Sequence, residues 1–165
     1  MSISPRPDAA LVSVIAATVT GHAVLYLGAC DEVIIRAALE GCDITTPVLA
    51  LTTEAQHCER LRDAVPDDLR LSIHHQDAVS FLADVERHRF GFMIIDGSAA
   101  RQLPLALTLL APAGVAVGLG TLALPPPSGE RIVCPVTMPG IAWIVSRRAR
   151  AAPRRRGGRR VRHSL

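Results

Sequence analysis

HAVLYLGACDEVIIRAAL, residues His22 to Leu39, is the stretch from which the rest of the chain is read. Ala23 to Leu27 is a short apolar run without helical spacing, which predicts a buried strand. Gly28 breaks the run. Asp31 and Glu32 then open a segment with Val33, Ile34, Ala37 and Ala38 on one apolar face, which predicts a helix from about Glu32 to Glu40. Gly41 follows, where a left-handed residue commonly ends a helix. Strand, tight turn and helix in that order open an α/β fold. Small ligands in such folds bind outside the carboxyl ends of the strands, so a ligand is expected at the turn on Gly28.

The same alternation continues in both directions. Upstream, Asp8 to Val19 reads as a helix, with Asp8 as N-cap and Leu11, Val14, Ile15 and Val19 on its apolar face. Downstream, strands are predicted at 47–51, 69–74, 92–95 and 114–118. Helices are predicted at 54–65 behind a Thr52 or Thr53 cap, at 78–86 behind Asp77, and at 103–110. A loop around PPPSGE precedes a closing pair of strands, 131–136 and 141–146, joined by Pro139-Gly140. The architecture expected is a three-layer α/β sandwich: a mostly parallel, Rossmann-like sheet covered on both faces, with a terminal antiparallel strand pair.

The chain has 165 residues, enough for one domain with a real core, and 49% of them are hydrophobic but only 3% aromatic, so aliphatic side chains must do the packing. Its net charge of +3 conceals a division. Residues 1–146 carry nine Arg against all fifteen acids, a net of −6, while 147–165 carry the other nine Arg and no acid, a net of +9. There is no Lys. The sequence divides accordingly into a body, 1–146, and an Arg-rich tail, 147–165, whose repelling charges and scant apolar content predict disorder. Cys30, Cys42, Cys58 and Cys134 show no CxxC or Cys/His ligand spacing, which suits free thiols in a reducing cytoplasm and predicts no metal centre. Neither a signal peptide nor an apolar run long enough to cross a bilayer is expected.

From about Pro5 to Ser146 this order of segments resembles the class I S-adenosylmethionine-dependent methyltransferases, most nearly the small O-methyltransferases of the caffeoyl-CoA and catechol type. The family opens with a strand ending in an acid and a glycine-rich turn. VLYLGACDE keeps Gly28 but has Tyr26 in place of the acid, with Cys30 and Glu32 where later glycines stand. The acid that grips the ribose at the end of the second strand is matched by Thr52, with Thr53 beside it and Glu54 two residues on. A Gly-Asp-Ala-like stretch near the adenine appears as Gln76-Asp77-Ala78. FGFMIIDGS supplies the aspartate after the fourth strand as Asp96, and LLAPAGVAVGLG resembles the family's next turn and strand. Metal-dependent members continue with Asp-Asn, where this chain has Leu119-Gly120.

The resemblance implies S-adenosylmethionine as cofactor, held by Gly28, Ala29, Cys30, Asp31, Thr52, Thr53, Gln76, Asp77, Ala78 and Asp96, with Asp96 as the catalytic candidate and no metal. The chemistry of the turn agrees with a cation. A pyrophosphate needs free N–H groups and glycines, whereas Asp31 and Glu32 would repel phosphate and could pair with an ammonium. Each candidate also has a plainer role. Asp31, Glu32 and Asp77 favour helix starts, Asp96-Gly97 suits a turn, and Cys30 is a small apolar filler. His74 and His75 point to opposite faces of a strand and cannot easily act together. Two further hypotheses stand beside methyl transfer to a small-molecule acceptor. One is a catalytically silent relative acting by binding or as a homodimer. The other is non-specific, salt-sensitive contact of the tail with nucleic acid or an anionic surface.

Overall fold

All five residues of Ala23–Leu27 are buried, and this strand, β1, lies in the interior of the sheet. The computed structural model describes residues 6–87, 89–123, 125 and 131–149. Along β1 the side chains alternate between two cores. Val24 and Tyr26 pack toward one face, while Ala23, Leu25 and Leu27 pack toward the other. A run buried on both faces has no polar member, which is why the sequence shows no alternation here. The other strands are β2 (Val48–Thr52), β3 (Leu71–His75), β4 (Phe90–Ile95), β5 (Leu110–Leu119), β6 (Arg131–Pro135) and β7 (Ile141–Arg147). They form one sheet in the order β3-β2-β1-β4-β5-β7-β6, parallel from β3 through β5. β7 runs antiparallel to both β5 and β6, so the expected terminal pair is present.

Helices α1 (Pro7–Ala16), α2 (Glu32–Gly41) and α3 (Ala55–Ala64) contribute to the core on the Val24 and Tyr26 face. On the other face lie α4 (Ala78–Asp84), a 3₁₀ segment at Gly97–Gln102 and the single turn α5 (Leu103–Ala106). The three layers match the expectation. Each fully buried Leu, Ile or Phe contributes roughly 1.5–3 kcal/mol, and Leu25, Leu27, Phe92, Ile94 and Ile95 put that weight directly under the strand ends that carry the site.

Several local readings change. Asp8 does not cap α1: Arg6 holds the N-cap position without a side-chain bond, Pro7 opens the helix, and Asp8 sits in the first turn, buried against Arg6. The buried face of α1 is Asp8, Ala9, Val12 and Ala16, whereas Val14 is exposed. Small residues prevail there because α1 lies tightly on α2. Gly41 belongs to α2 rather than lying past it, and a Cβ on it would overlap the Ser13 carbonyl oxygen, so close packing and not a left-handed turn selects this glycine. The helix predicted at 103–110 ends at Ala106. Thr108 turns its hydroxyl back onto the Leu105 carbonyl at 2.7 Å, and Leu110 already pairs with Phe90 in the sheet. β7 closes at Arg147, one residue beyond the sequence-based boundary of the body. Residues 150–165, on which the disorder and nucleic-acid readings of the tail rest, lie outside the described residues. Among the described residues no helix is long and apolar enough to cross a membrane.

Candidate functional site

β1 and β4 are parallel neighbours with Leu27 opposite Ile95, so the chain leaves both strands side by side. The Asp96 amide donates to the Leu27 carbonyl at 3.1 Å, which carries the strand pairing to the point where the two loops diverge. Asp96 then turns its carboxylate across to the β1 turn. Its Oδ2 accepts from the Ala29 amide at 2.6 Å, and its Oδ1 accepts from the Ser98 amide at 2.9 Å and the Ser98 hydroxyl at 2.6 Å. Gly28 makes this approach feasible. Its φ is +124°, and a Cβ on it would overlap the Asp96 carboxylate. The two residues singled out at opposite ends of the sequence pattern are thus in contact.

The turn is held from below by Tyr26. Its side chain is 1% exposed, and its hydroxyl accepts from the Asp31 amide at 3.2 Å. Burial, reinforced by the Asp96 charge, pushes the Tyr26 phenol well above its ordinary pKa. Cys30 adopts a φ of +55° and buries its thiol near the Tyr26 and Leu51 carbonyls, each 3.7 Å away. Burial raises its pKa as well, so it remains a neutral thiol. Asp31 caps α2, with Oδ1 accepting from Val33 at 2.8 Å and Ile34 at 3.3 Å.

The other Asp31 oxygen is also engaged. Arg6 donates to it at 2.8 Å while gripping Asp8 through two bonds of 2.7 and 3.1 Å. The guanidinium holds the Asp8 carboxyl below the usual carboxylate range, and the two carboxylates raise Arg6 in turn. Sequence reasoning missed Arg6 as part of the site. Its signal was faint: a lone Arg between two prolines, with both acid partners distant or adjacent in ways that periodicity does not register.

A hollow of about 420 Å³ opens over this arrangement, lined among others by Tyr26, Ala29, Asp31, Asp96 and Thr121. Arg6 and Asp8 form one rim, and Gly120 and Gly140 another. The lining carries three carboxylates, Asp8, Asp31 and Asp96, against the single guanidinium, a formal net of −2. Ligands that carry positive charge are therefore favoured over phosphates. Leu119 and Gly120, which also line the hollow, offer no ligating side chain.

The remaining candidates lie along the same strand edge, over β2 and β3, and do not line this hollow. Thr52 is buried at the end of β2, its hydroxyl accepting from the Glu54 amide at 3.2 Å. Thr53 is exposed and its carbonyl lies 3.2 Å from His75 Nε2. Gln76 is exposed, and Ala78 is buried in α4. Asp77 caps α4 by accepting from the Ser80 amide at 2.8 Å and hydroxyl at 2.9 Å. Glu32 is exposed outside the hollow, and His74 packs its ring against Phe81 at 5.2 Å. The structure therefore brings Ala29, Asp31 and Asp96 to one hollow, with Gly28 and Cys30 forming its turn, and sets Thr52, Thr53, Gln76, Asp77 and Ala78 beside it.

Solved structures share this arrangement of elements. A methyltransferase from Geobacter sulfurreducens aligns with a TM-score of 0.71 at 15% identity, over 89% of this chain and 81% of its own. An O-methyltransferase from Bacillus cereus, solved in complex with SAH, aligns with a TM-score of 0.69 at 14% identity, over 88% and 81%. This is the methyltransferase fold. A SAM-dependent O-methyltransferase from Thermotoga maritima aligns with a TM-score of 0.65 at 10% identity, over 93% of this chain and 69% of its own. No protein-family model matches the chain, and no curated protein matches it in sequence. Within the methyltransferase fold the hollow lies where the order of connections reverses, between β1 and β4, the position at which open α/β sheets bind their ligands.

Proposed function

We propose that the protein is an S-adenosylmethionine-dependent methyltransferase acting on a small-molecule acceptor. The observation that carries this reading is the contact between the Gly28–Ala29 turn and Asp96 at the floor of a hollow with net negative lining. The residues fit the group. The hollow is large enough for part of a small ligand, its carboxylates suit an ammonium and a sulfonium, and no array of free N–H groups competes for phosphate.

When bound, S-adenosylmethionine supplies a methyl group already activated on a sulfonium. The chain supplies placement. Gly28, Ala29 and Cys30 offer backbone to the ligand, and Asp31 offers a carboxylate oxygen it shares with Arg6. Thr52 and Thr53 stand on the side of the ribose, with Gln76, Asp77 and Ala78 on the side of the adenine. Asp96 has three of its acceptor directions committed to Ala29 and Ser98, so it acts as a fixed negative charge and not as a mobile base. Fixed charge of that kind stabilises positive charge developing on an acceptor oxygen as it takes the methyl. The reading of the chain as a silent binding protein gains no support from the open, charged hollow.

Calorimetric titration with S-adenosylmethionine tests this. Saturable binding is expected, weakened about tenfold or more by Asp96→Ala and by Gly28→Val, with circular dichroism confirming that both variants fold. Absence of binding by the wild-type chain at millimolar ligand would end the proposal.

A further inference from the structure

The opposite edge of the same three strands carries a second opening. A cleft of about 370 Å³ lies where β2, β1 and β4 begin, lined by Gly21 and His22 before β1, Thr45 and Thr46 before β2, and Arg89 before β4. These segments are far apart in sequence, and the order β2-β1-β4 sets them side by side.

The lining is rich in donors and contains no carboxylate. Arg89 is exposed and makes no ion pair among the described residues. His22 is exposed beside it. Thr46 is only 5% exposed; its amide donates to the Asp43 carbonyl at 3.0 Å, but its hydroxyl has no hydrogen-bond partner among the described residues. The hydroxyl belongs to a nearly buried residue that lines the cleft and keeps some exposure there, so its hydrogen bond is free for solvent or for a ligand in the cleft. The carboxylate nearest in sequence, Asp43, is not part of the lining. The Asp43 carboxylate accepts from the Thr45 amide at 2.9 Å and hydroxyl at 2.7 Å. The carbonyls of Leu39, Cys42 and Asp43, at the end of α2, receive Arg70.

We propose that this cleft is a binding site for the phosphate group of a small phosphate monoester. Arg89 supplies the charge and a two-pronged donor, and the Thr46 hydroxyl and the His22 ring supply single donors from two other strand starts. Donors converging from three directions suit a tetrahedral anion with several acceptor oxygens better than a planar carboxylate. Glycine at position 21, with φ +68° and open space where a Cβ would stand, leaves the mouth unobstructed. The site does not depend on the methyltransferase reading.

The test follows backbone amide resonances of the full chain during titration, at constant ionic strength, with inorganic phosphate, with glycerol 3-phosphate and with acetate. Expected are saturable shifts at Gly21, His22, Thr45, Thr46 and Arg89 with either phosphate compound and none with acetate. Saturation at lower concentration by the ester than by inorganic phosphate identifies the esterified group as the ligand. Arg89→Gln should weaken binding about tenfold and Thr46→Val about threefold. Shifts that rise linearly without saturating, that concentrate in residues 150–165, that appear equally with acetate, or that are unchanged in both variants would overturn the proposal. So would tighter binding of inorganic phosphate than of the ester.

Discussion

Replacing Gly28 with alanine should expose the tie between the first turn and Asp96 as a measurable coupling. A φ of +124° lies outside the small left-handed basin open to residues with a Cβ, and holding alanine there costs about 1–3 kcal/mol. The new Cβ would also overlap the carboxylate and force Asp96 away from the Ala29 amide. Losing a hydrogen bond to a charged acceptor costs a further 1.5–3 kcal/mol or so. Gly28→Ala alone should therefore destabilise by roughly 2.5–6 kcal/mol, which in a domain of this size lowers Tm by roughly 5–24 °C. In an Asp96→Ala background the clash and the lost bond both vanish, and the same substitution should cost only the backbone strain. Urea denaturation of the four proteins of this cycle measures the difference, expected at about 1.5–3 kcal/mol. Equal costs in both backgrounds, within about 0.5 kcal/mol, would refute the argument that Gly28 is present for the sake of Asp96.

Three other perturbations reach different parts of the molecule. Arg70→Ala removes the donor to the carbonyls of Leu39, Cys42 and Asp43 and the 2.6 Å pair with Asp68, and should cost about 1–2 kcal/mol in urea denaturation; unchanged stability would show that the end of α2 is satisfied without it. Arg6 keeps the folded-state pKa of Asp8 below its unfolded value of about 3.9, so the stabilisation is whole above that pH and is lost as the pH falls through the lowered value. Arg6→Gln should accordingly be less stable than wild type by about 1 kcal/mol from pH 5 to 7, the difference closing toward pH 2; a pH-independent difference would contradict this. Finally, Cys134 is exposed while Cys30, Cys42 and Cys58 are buried, so a thiol reagent at pH 8 should titrate one cysteine quickly and the other three only after unfolding.

The layers and the sheet were legible because continuous apolar runs such as Ala23–Leu27 and Phe92–Ile95 leave little alternative to strands buried on both faces. Asp31 and Asp77 were legible as caps, since an acid before a helix start has one common use. What escaped was the chemistry of close approach. Gly41 was misread because a glycine that admits a neighbouring helix and one that ends its own helix look identical in a sequence. Asp8 was misread because its partner, Arg6, lies two residues before it and a buried bidentate pair outweighs the capping preference. At the site, the fold class puts the turns after β1 and β4 at one ligand crevice, but no spacing rule shows that Gly28 touches Asp96 across 68 residues or that Ser98 completes the arrangement. The alignment of Thr52, Gln76 and Asp77 beside the hollow rather than in it follows from strand order, which periodicity alone does not encode.

The single reversal of direction at β7 has a practical corollary for anyone attaching a label or a fusion partner. Because that strand runs against its neighbours, Arg147 finishes near Leu110, at the rim where β1 and β4 start. The chain enters α1 at the contrary rim, with Arg6 roped to Asp31 at the mouth of the ligand hollow. A group joined directly after Arg147 would therefore depart a strand length away from the ligand hollow, whereas one joined directly before Arg6 would begin at its doorway.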